Sequence, residues 1–522
     1  MKNILIIQFI SSAVNYIDDA INRGHQPVIF YKKPDKNNPL YADVGTYNNV
    51  LKYKNKIKAY EIDDNYQNTL KLAKKIKPVA VLHCTDAMTS LVNRLNSDLG
   101  LPSNPLKYVN CYYEKFPMQD ALKKYGIRYI RSKVIRSVEE GVEFFENEQL
   151  KECVIKQSSG AASVGLHMCD DKDSLVKFLK EEFNNTYLFT GEQCNEMLIQ
   201  EKINGTEYVV NTMSNNGDHN LLSFWRYNKK PAINNSYVYD YVTNMYKLEG
   251  GSYKLLKYAY SVLDAVHFKN GPVHGEYMVD ENGPVLIEIN CRTMGGNMPP
   301  AFLDAAHGHH ETDVVLNDLL SPGYHSFYKE LPYYPLAKAT LKVFISQADA
   351  KLLSIPGNNL LKHLKSFFSV DHHVKTNMKI KPTVDLFSSP GSLYLVNTNE
   401  TQLNKDLDLV SRLEKNDPEL IYQTKKPNLK NKPKNTTSLN AVLKKFCLYG
   451  STIIFSNNDK LKSDKFIVNE KTVKKVKSGF VNAVFDYNYT EKFTLPNYID
   501  AFFDFVSCIK NGGQILVPES SY

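Results

Sequence analysis

The spacing of apolar positions along this chain changes several times, and each change predicts an element. Residues 4–9 form a short, mostly apolar run, the pattern of a buried strand. Residues 14–23 have helical spacing and stop near Gly24. Residues 27–31 and 79–83 return to strand pattern, with a helical stretch at 66–76 between them. This alternation predicts an open, mostly parallel α/β domain over residues 1–110. Residues 114–124 read as a helix closed by Gly126, a residue suited to a left-handed cap. Residues 153–156 read as a buried strand, and 197–210 as strand, kink, strand. Aromatic and apolar residues alternate with basic ones over 221–245, which predicts strands joined by a loop. An amphipathic helix is expected at 255–266 and a further helix at 313–320.

The most informative stretch is 271–297, GPVHGEYMVDENGPVLIEINCRTMGGN. It predicts two strands joined by the turn Asp280-Glu281-Asn282-Gly283, where Gly283 is free to take positive φ. Glu288 and Asn290 stand two apart, so a strand points both to one face, and hairpin pairing brings Glu276 opposite them. Two carboxylates so close repel unless a cation lies between them. Two acids and an amide form an oxygen-only set, which suits a hard ion such as Mg²⁺. Arg292 follows, able to fork onto a phosphate or carboxylate, and Gly295 and Gly296 allow close approach to the backbone. A solvent-facing edge hairpin is the plainer alternative for a single acid, and the weaker one for this conjunction.

The second informative stretch delivers Lys156 from a strand into Gln157-Ser158-Ser159-Gly160-Ala161-Ala162-Ser163-Val164-Gly165. Small residues let backbone N–H groups turn toward an anion, and the lysine adds a point charge. Leu166-His167 replaces the Lys-Ser/Thr of a Walker A loop, and the first loop lacks G-x-G-x-x-G, so neither nucleotide fold of that kind is supported. The run His307-Gly308-His309-His310-Glu311 is not a standard zinc spacing.

Composition narrows the classes. A chain of 522 residues, 43% hydrophobic and 23% charged, is long enough for two to four domains of ordinary soluble type. The net charge of +8 is modest at this size and argues weakly for nucleic acid. Eight cysteines without a C-x-x-C pair suggest neither zinc nor a disulfide framework and fit a reducing cytoplasm. No apolar run approaches membrane-spanning length.

Taken in order, G-P-V-H-G-E and G-P-V-L-I-E-I-N-C-R-T-M-G-G, the strand ending at Lys156, and E-K-I-N-G-T-E at 201–207 resemble the ATP-grasp superfamily. The spelling is closest to the L-amino-acid ligases, the group that includes the bacilysin- and dapdiamide-type enzymes. The resemblance covers about residues 1–420. It implies an ATP-grasp fold of mixed α/β and α+β domains. ATP is then expected on Lys115, Lys156, Ser158, Ser159, Gly160 and Ser163, with Glu201 and Ile203 offering backbone groups to adenine and Glu207 accepting from ribose. Mg²⁺, with Mn²⁺ as an alternative, is expected on Glu276, Glu288 and Asn290. Arg292 and Lys156 are implied as catalytic, and Arg226, Lys229, His274, Gly295 and Gly296 as substrate-side residues. Gln157 stands where the family has proline.

The implied order is an N-terminal α/β domain at 1–110, an ATP-grasp domain at 111–330 with its nucleotide-binding part to about 205, and a C-terminal ligase subdomain at 331–422. A basic, proline-containing linker follows at 423–438. Residues 439–522 read as a small α/β module, with strands near 451–455 and 481–487 and a helix at 499–509. The expected activity is ATP-dependent carboxylate–amine ligation through an acyl phosphate, on small-molecule and amino-acid substrates. The expectation includes no nucleic-acid or membrane partner and leaves a homodimer open. Another ATP-grasp reaction, carboxylation or non-amino-acid ligation, and a non-catalytic ATP-binding scaffold are the alternatives.

Overall fold

Three apolar runs and one exposed edge segment build the N-terminal sheet. In the computed structural model β1 (Asn3–Ile7), β2 (Gln26–Tyr31), β3 (Lys58–Glu61) and β4 (Pro78–His83) pair in parallel in the order β3-β2-β1-β4. The structure describes residues 1–34, 41–156, 166–183, 196–232, 237–248 and 250–425, and four strands beyond them. Ile4, Ile6 and Phe9 pack on one face of the sheet, Leu5 and Ile7 on the other, as expected of strands buried on both sides. The helices α1 (Tyr16–Asn22), α2 (Tyr41–Tyr53), α3 (Tyr66–Ile76) and α4 (Thr89–Asp98) connect these strands and continue the chain. The expected helix at 14–23 begins instead as a 3-10 turn, Ser11–Asn15. Edge strand β3, KAYE, is exposed throughout and carries no apolar pattern to read.

Helix α5 (Lys115–Lys124) follows, and Gly126 beyond it has φ +68°, as its sequence position suggests. A four-stranded antiparallel sheet comes next, β5-β8-β6-β7, from Ser132–Ile135, Cys153–Lys156, His167–Cys169 and Met197–Glu201 numbered in chain order. Helices α6 (Val138–Asn147) and α7 (Lys172–Glu182) cover its outer face through Phe144, Leu175 and Leu179. The opposite face carries Val154, Lys156 and Gln200, because Val154 pairs with Gln200 and Lys156 with Leu198.

A larger antiparallel sheet holds β9 (Thr206–Asn215), β10 (Asp218–Pro231), β11 (Tyr237–Asn244), β12 (Gly271–Asp280), β13 (Gly283–Asn290) and β14 (Lys338–Val343), in the order β13-β12-β9-β10-β11-β14. Helix α8 (Gly250–Ala265) packs against it with Leu255, Ala259, Val262 and Leu263, meeting Val210, Phe224, Tyr277 and Leu286. The hairpin β12–β13 forms as its pattern predicts: Asp280 pairs with Gly283, whose φ is +102°. Glu276 pairs directly with Glu288, and a bulge then moves the register so that Tyr277 meets Leu286. Helices α9 (Pro300–His307), α10 (Glu311–Leu320) and α11 (Tyr324–Glu330) complete this part.

The chain divides into two compact units. The first is Met1–Val343 with Thr383–Ser388 and Tyr394–Glu400; it holds every element above. The second is Phe344–Pro382, Ser389–Leu393 and Thr401–Tyr522. In the second, buried Leu403, Val410 and Leu413 lie on one helix, and Tyr422 packs edge-on to Phe344 and His372. Its last strands, Thr452–Phe455, Phe466–Val468, Phe480–Phe485 and Ile509–Leu516, form a parallel sheet. Gly512 and Gly513, a pair suited to a turn, lie inside the last strand. The expected linker beyond residue 425 and residues 499–508 of the expected helix at 499–509 lie outside the described residues; Ile509 opens the last strand instead.

One close approach fixes how the kink after β8 meets the hairpin. A Cβ on Gly205 would lie 2.3 Å from the carbonyl oxygen of Val279 and 3.1 Å from Cγ of Met278. The first contact is backbone and cannot turn aside. Gly205→Ala is expected to destabilise the protein by about 1–3 kcal/mol, read as a lowered denaturant midpoint at unchanged slope.

Candidate active site

The inner faces of the two antiparallel sheets enclose a cavity of about 450 Å³, within the usual range for a small-molecule site. Its wall contains Lys115, Lys156, Glu201, Ile203, Glu207, Lys229, Glu276 and Glu288, eight of the residues singled out from sequence. Strand alternation explains the set. Tyr227 pairs with Glu207 and Met278 with Glu207 on its other side, so β10, β9 and β12 present Tyr227, Glu207 and Met278 on one face. Glu276, level with Val209, shares that face two residues along.

The charges in this cavity are few, buried and close. The Nζ of Lys115 is 2.5 Å from Oε2 of Glu288. Burial alone would raise the Glu288 carboxyl. The charges of Lys115 and Lys156, with hydrogen bonds from Lys115 and Asn290, outweigh it and hold Glu288 well below the usual range, at about 2. Lys156 has the opposite fate. Burial, and then the charge of Lys115, push its ammonium down to about 7, although Glu288, Glu276 and Glu207 pull the other way. Lys229 donates to Oε1 of Glu207 at 2.8 Å and stands 4.6 Å from the centre of the Tyr239 ring. Burial raises the Glu207 carboxyl despite that lysine.

Glu276, Glu288 and Asn290 all present to one side of the hairpin. Asn290 Nδ2 donates to Glu288 Oε1 at 3.1 Å, and Glu276 Oε1 is 3.2 Å from Nε2 of His274. Two opposed carboxylates and an amide oxygen, with Asn290 and His274 both buried, fit a hard divalent cation by donor type.

The remaining sequence-predicted residues divide. Arg292 is not in the cavity wall. Its Nη2 pairs with Asp86 at 3.0 Å, and Asp86 outweighs burial to hold the guanidinium above its ordinary value. Gly295 lies beside it: a Cβ there would be 3.7 Å from Arg292 Nη1. Gly296 has φ +79°. His274 is buried under the wall, its Nδ1 bonded to Asn211. Arg226 is placed away from the cavity. It pairs with Tyr208 and Thr243, so it shares the side of the sheet that carries Phe224 and faces α8. Lys229, two residues on from Tyr227, reaches the cavity by strand alternation, and Asn228 joins it beside the register shift between β10 and β11. The backbone N–H of Glu201 already donates to the carbonyl of Arg131 at 3.0 Å, so it is not available to a ligand. Its side chain is held by Arg131 as well. Ser158, Ser159, Gly160 and Ser163 lie outside the described residues.

Three groups escaped the sequence reading. The side-chain amide nitrogens of Gln200 and Asn228, both in the cavity wall, have no hydrogen-bond partner among the described residues. Gln200 was findable from its position one residue before Glu201, on the Lys156 face. Asn228 was not, because the bulge that turns it inward has no sequence mark. Asp86 sits just past β4, at the carboxyl end of a parallel strand, where α/β sheets hold ligands. Thr293 joins the same edge, bonding Ser12 at 3.0 Å. The histidine run is dispersed: His309 bonds the carbonyl of Leu222 at 3.0 Å, and His310 bridges Asp304 and Asp19. Burial works against the His310 charge, but those two acids hold its pKa up at about 9.

Comparison with known proteins agrees with this geometry. Residues 150–300 match the family model of the ATP-grasp domain. Dapdiamide A synthase of Enterobacter agglomerans is 25% identical over 350 residues, 66% of this chain and 81% of that protein. Among solved structures, an L-amino acid ligase from Bacillus licheniformis superposes with a TM-score of 0.63 at 17% identity, covering 79% of this chain and 97% of its own. Phosphoribosylglycinamide synthetase from Anaerococcus prevotii gives 0.56 at 15% identity, over 79% and 98% of the two chains. The two structures show the fold. With its ATP-grasp domain and its homology to dapdiamide A synthase, the chain is an ATP-grasp enzyme of the ADP-forming ligase class.

Proposed function

We propose that this enzyme joins a carboxylate to an amine, both small molecules and both amino acids, through an acyl phosphate. The observation that carries the reading is a cavity that collects two buried lysines, an opposed pair of acids and the further carboxylate of Glu207. Lys115 and Lys156 hold the phosphates of ATP, Ile203 and the carbonyl of Glu201 meet adenine, and Glu207 accepts from ribose hydroxyls. Mg²⁺ on Glu276, Glu288 and Asn290 supplies charge neutralisation of the phosphates when bound. Arg292, held by Asp86, orients the substrate carboxylate beside Gly295.

In the first step a carboxylate oxygen attacks the γ-phosphorus and ADP leaves. In the second the amine nitrogen attacks the acyl carbon, phosphate leaves, and the amine gives up a proton. The protein contributes positioning and charge, which suffices for phosphoryl transfer. Similarity to dapdiamide A synthase supports an amino-acid substrate over bicarbonate.

The test is ADP formation with ATP and Mg²⁺ across a grid of amino-acid pairs, each amino acid alone, and bicarbonate. The expected result is turnover that requires a pair and yields one ADP per amide. In Glu288→Gln it falls by about a hundredfold or more, with the folded state checked by its melting curve. Turnover that requires bicarbonate would move the reading to carboxylation.

Lys156 gives a second prediction. Its ammonium is near half-charged at pH 7 in the free protein, and bound phosphates favour the charged form. ADP binding therefore takes up a proton, more so as pH rises from about 7 to 9. Calorimetry in buffers of different ionisation enthalpy reads this directly. Lys156→Arg stays charged in both states and is expected to show binding without the uptake.

A further inference from the structure

Gln200 stands in β8, one residue before Glu201, and is only 2% exposed. Its strand is paired on both sides, with Ser132 of β5 and Val154 of β6 opposite Gln200, so its backbone is fixed. Met197 and Ile199 belong to the outer face under α6 and α7, and alternation sends Gln200 the other way, into the cavity wall. There its amide nitrogen is buried and has no hydrogen-bond partner among the described residues.

Two other buried amides show the contrast. Gln119 donates to the carbonyl of Leu286 at 2.9 Å and accepts the N–H of Ile130 at 2.8 Å. Asn104 donates to the carbonyl of Asn270 at 2.8 Å and accepts the N–H of Lys269 at 2.7 Å. Amides that serve the fold are satisfied within it. A buried donor left without a partner costs stability, so Gln200 is held for something that the resting fold does not supply.

The surroundings narrow the partner. Val154 and Met168, paired across β6 and β7, line the cavity with Ile130, and Met278 and Ile287 line it from the hairpin. An apolar slot with one amide in its wall suits a flat heteroaromatic ring. Chain direction then gives the edge. Adenine held at the hinge by N1 and its 6-amino group, on the N–H of Ile203 and the carbonyl of Glu201, turns its N7 side back along the chain toward Gln200. A primary amide presents a donor and an acceptor side by side. The N7 edge of adenine presents an acceptor and a donor, N7 and the second hydrogen of the 6-amino group, whereas guanine presents two acceptors there.

We propose that Gln200 is a specificity-determining residue for adenine: its amide nitrogen donates to N7 and its oxygen accepts from the 6-amino group. The hinge backbone reads one edge of the base and Gln200 the other. The inference rests on the reading of this cavity as the nucleotide site, and is independent of which molecules the enzyme joins.

The test is calorimetric titration of the whole chain, with Mg²⁺, by ADP and by 7-deaza-ADP, which has C–H in place of N7 and an unaltered hinge edge. The wild type is expected to bind ADP about tenfold or more tightly than 7-deaza-ADP, because the C–H leaves the buried donor unpaired. Gln200→Met keeps the length of the side chain and removes its polar atoms. It is expected to bind ADP about tenfold more weakly than the wild type, and to melt no lower without nucleotide. It is expected to bind the two nucleotides within about twofold of each other. Gln200→Leu repeats the comparison with a second apolar shape. Equal affinity of the wild type for the two nucleotides overturns the proposal and leaves the nucleotide site standing. A preference that persists in both variants gives N7 to another donor, such as Lys156, and also overturns it. Loss of the nucleotide-free fold in both variants shows Gln200 to be a structural amide, with the same consequence. A folded wild type that binds neither nucleotide overturns the reading of the cavity and this proposal together.

Discussion

The constraint on which this structure turns is the direct pairing of Glu276 with Glu288 across a hairpin. Like charges in opposed cross-strand positions destabilise a sheet, and burial makes them worse. The fold meets the difficulty from outside the hairpin. Lys115 comes from the start of α5 and settles on Glu288, and Lys156 comes from the end of β6 on a different sheet. The two sheets must therefore face each other across the cavity, and the cavity exists because side chains of both carry charge into it. The compensation is incomplete on each side. Lys156 is left so short of anion that its proton is held loosely, and Glu276 meets the ring of His274 rather than a lysine. A polyanion with its cation answers both deficits at once, which is why the proposed ligand is ATP with Mg²⁺ rather than either alone.

Much of this was legible because it is local. The hairpin followed from a period of two, a turn closed by Gly283, and an acid and amide two apart. The cap at Gly126 followed from a helical run that stops. Lys156 followed from a buried strand that ends in a charge. Each signal needs only a few consecutive residues. Arg226 and Lys229 show the limit. Both are basic and both lie in one aromatic strand; their spacing of three sends them to opposite faces, but the sequence does not say which face looks inward. Strand alternation separates them once the inward face is known: Arg226 lies with Phe224 on the α8 side and Lys229 with Tyr227 on the cavity side. Edge strand β3 was missed for the converse reason: with every residue exposed it has no apolar pattern.

The residues that escaped reading are those whose role depends on partners far along the chain. Asp86 becomes meaningful when Arg292 reaches it, and Glu311 when Asn211, Ser223 and Met294 converge on it. In the sequence Glu311 looks like the tail of a histidine run. The structure separates it from those histidines: His310 turns to Asp19 and Asp304, while Glu311 turns inward to the sheet.

This division of labour bears on what can vary in such a protein. The charged cavity is over-determined, since each lysine and acid is tied to the others, and a change at one shifts the protonation of the rest. The edge formed by Ser12, Asp86, Thr293 and Gly295 is tied mainly by single hydrogen bonds between loops. Loops tolerate replacement where a network of buried charges does not. On the reading proposed above, the phosphates fall to the network of buried charges and the substrate carboxylate to the loop edge beside Arg292. The ATP-grasp family model, over residues 150–300, spans Lys156, Glu207, Lys229 and the whole hairpin, while Lys115 and Asp86 reach Glu288 and Arg292 from outside that stretch.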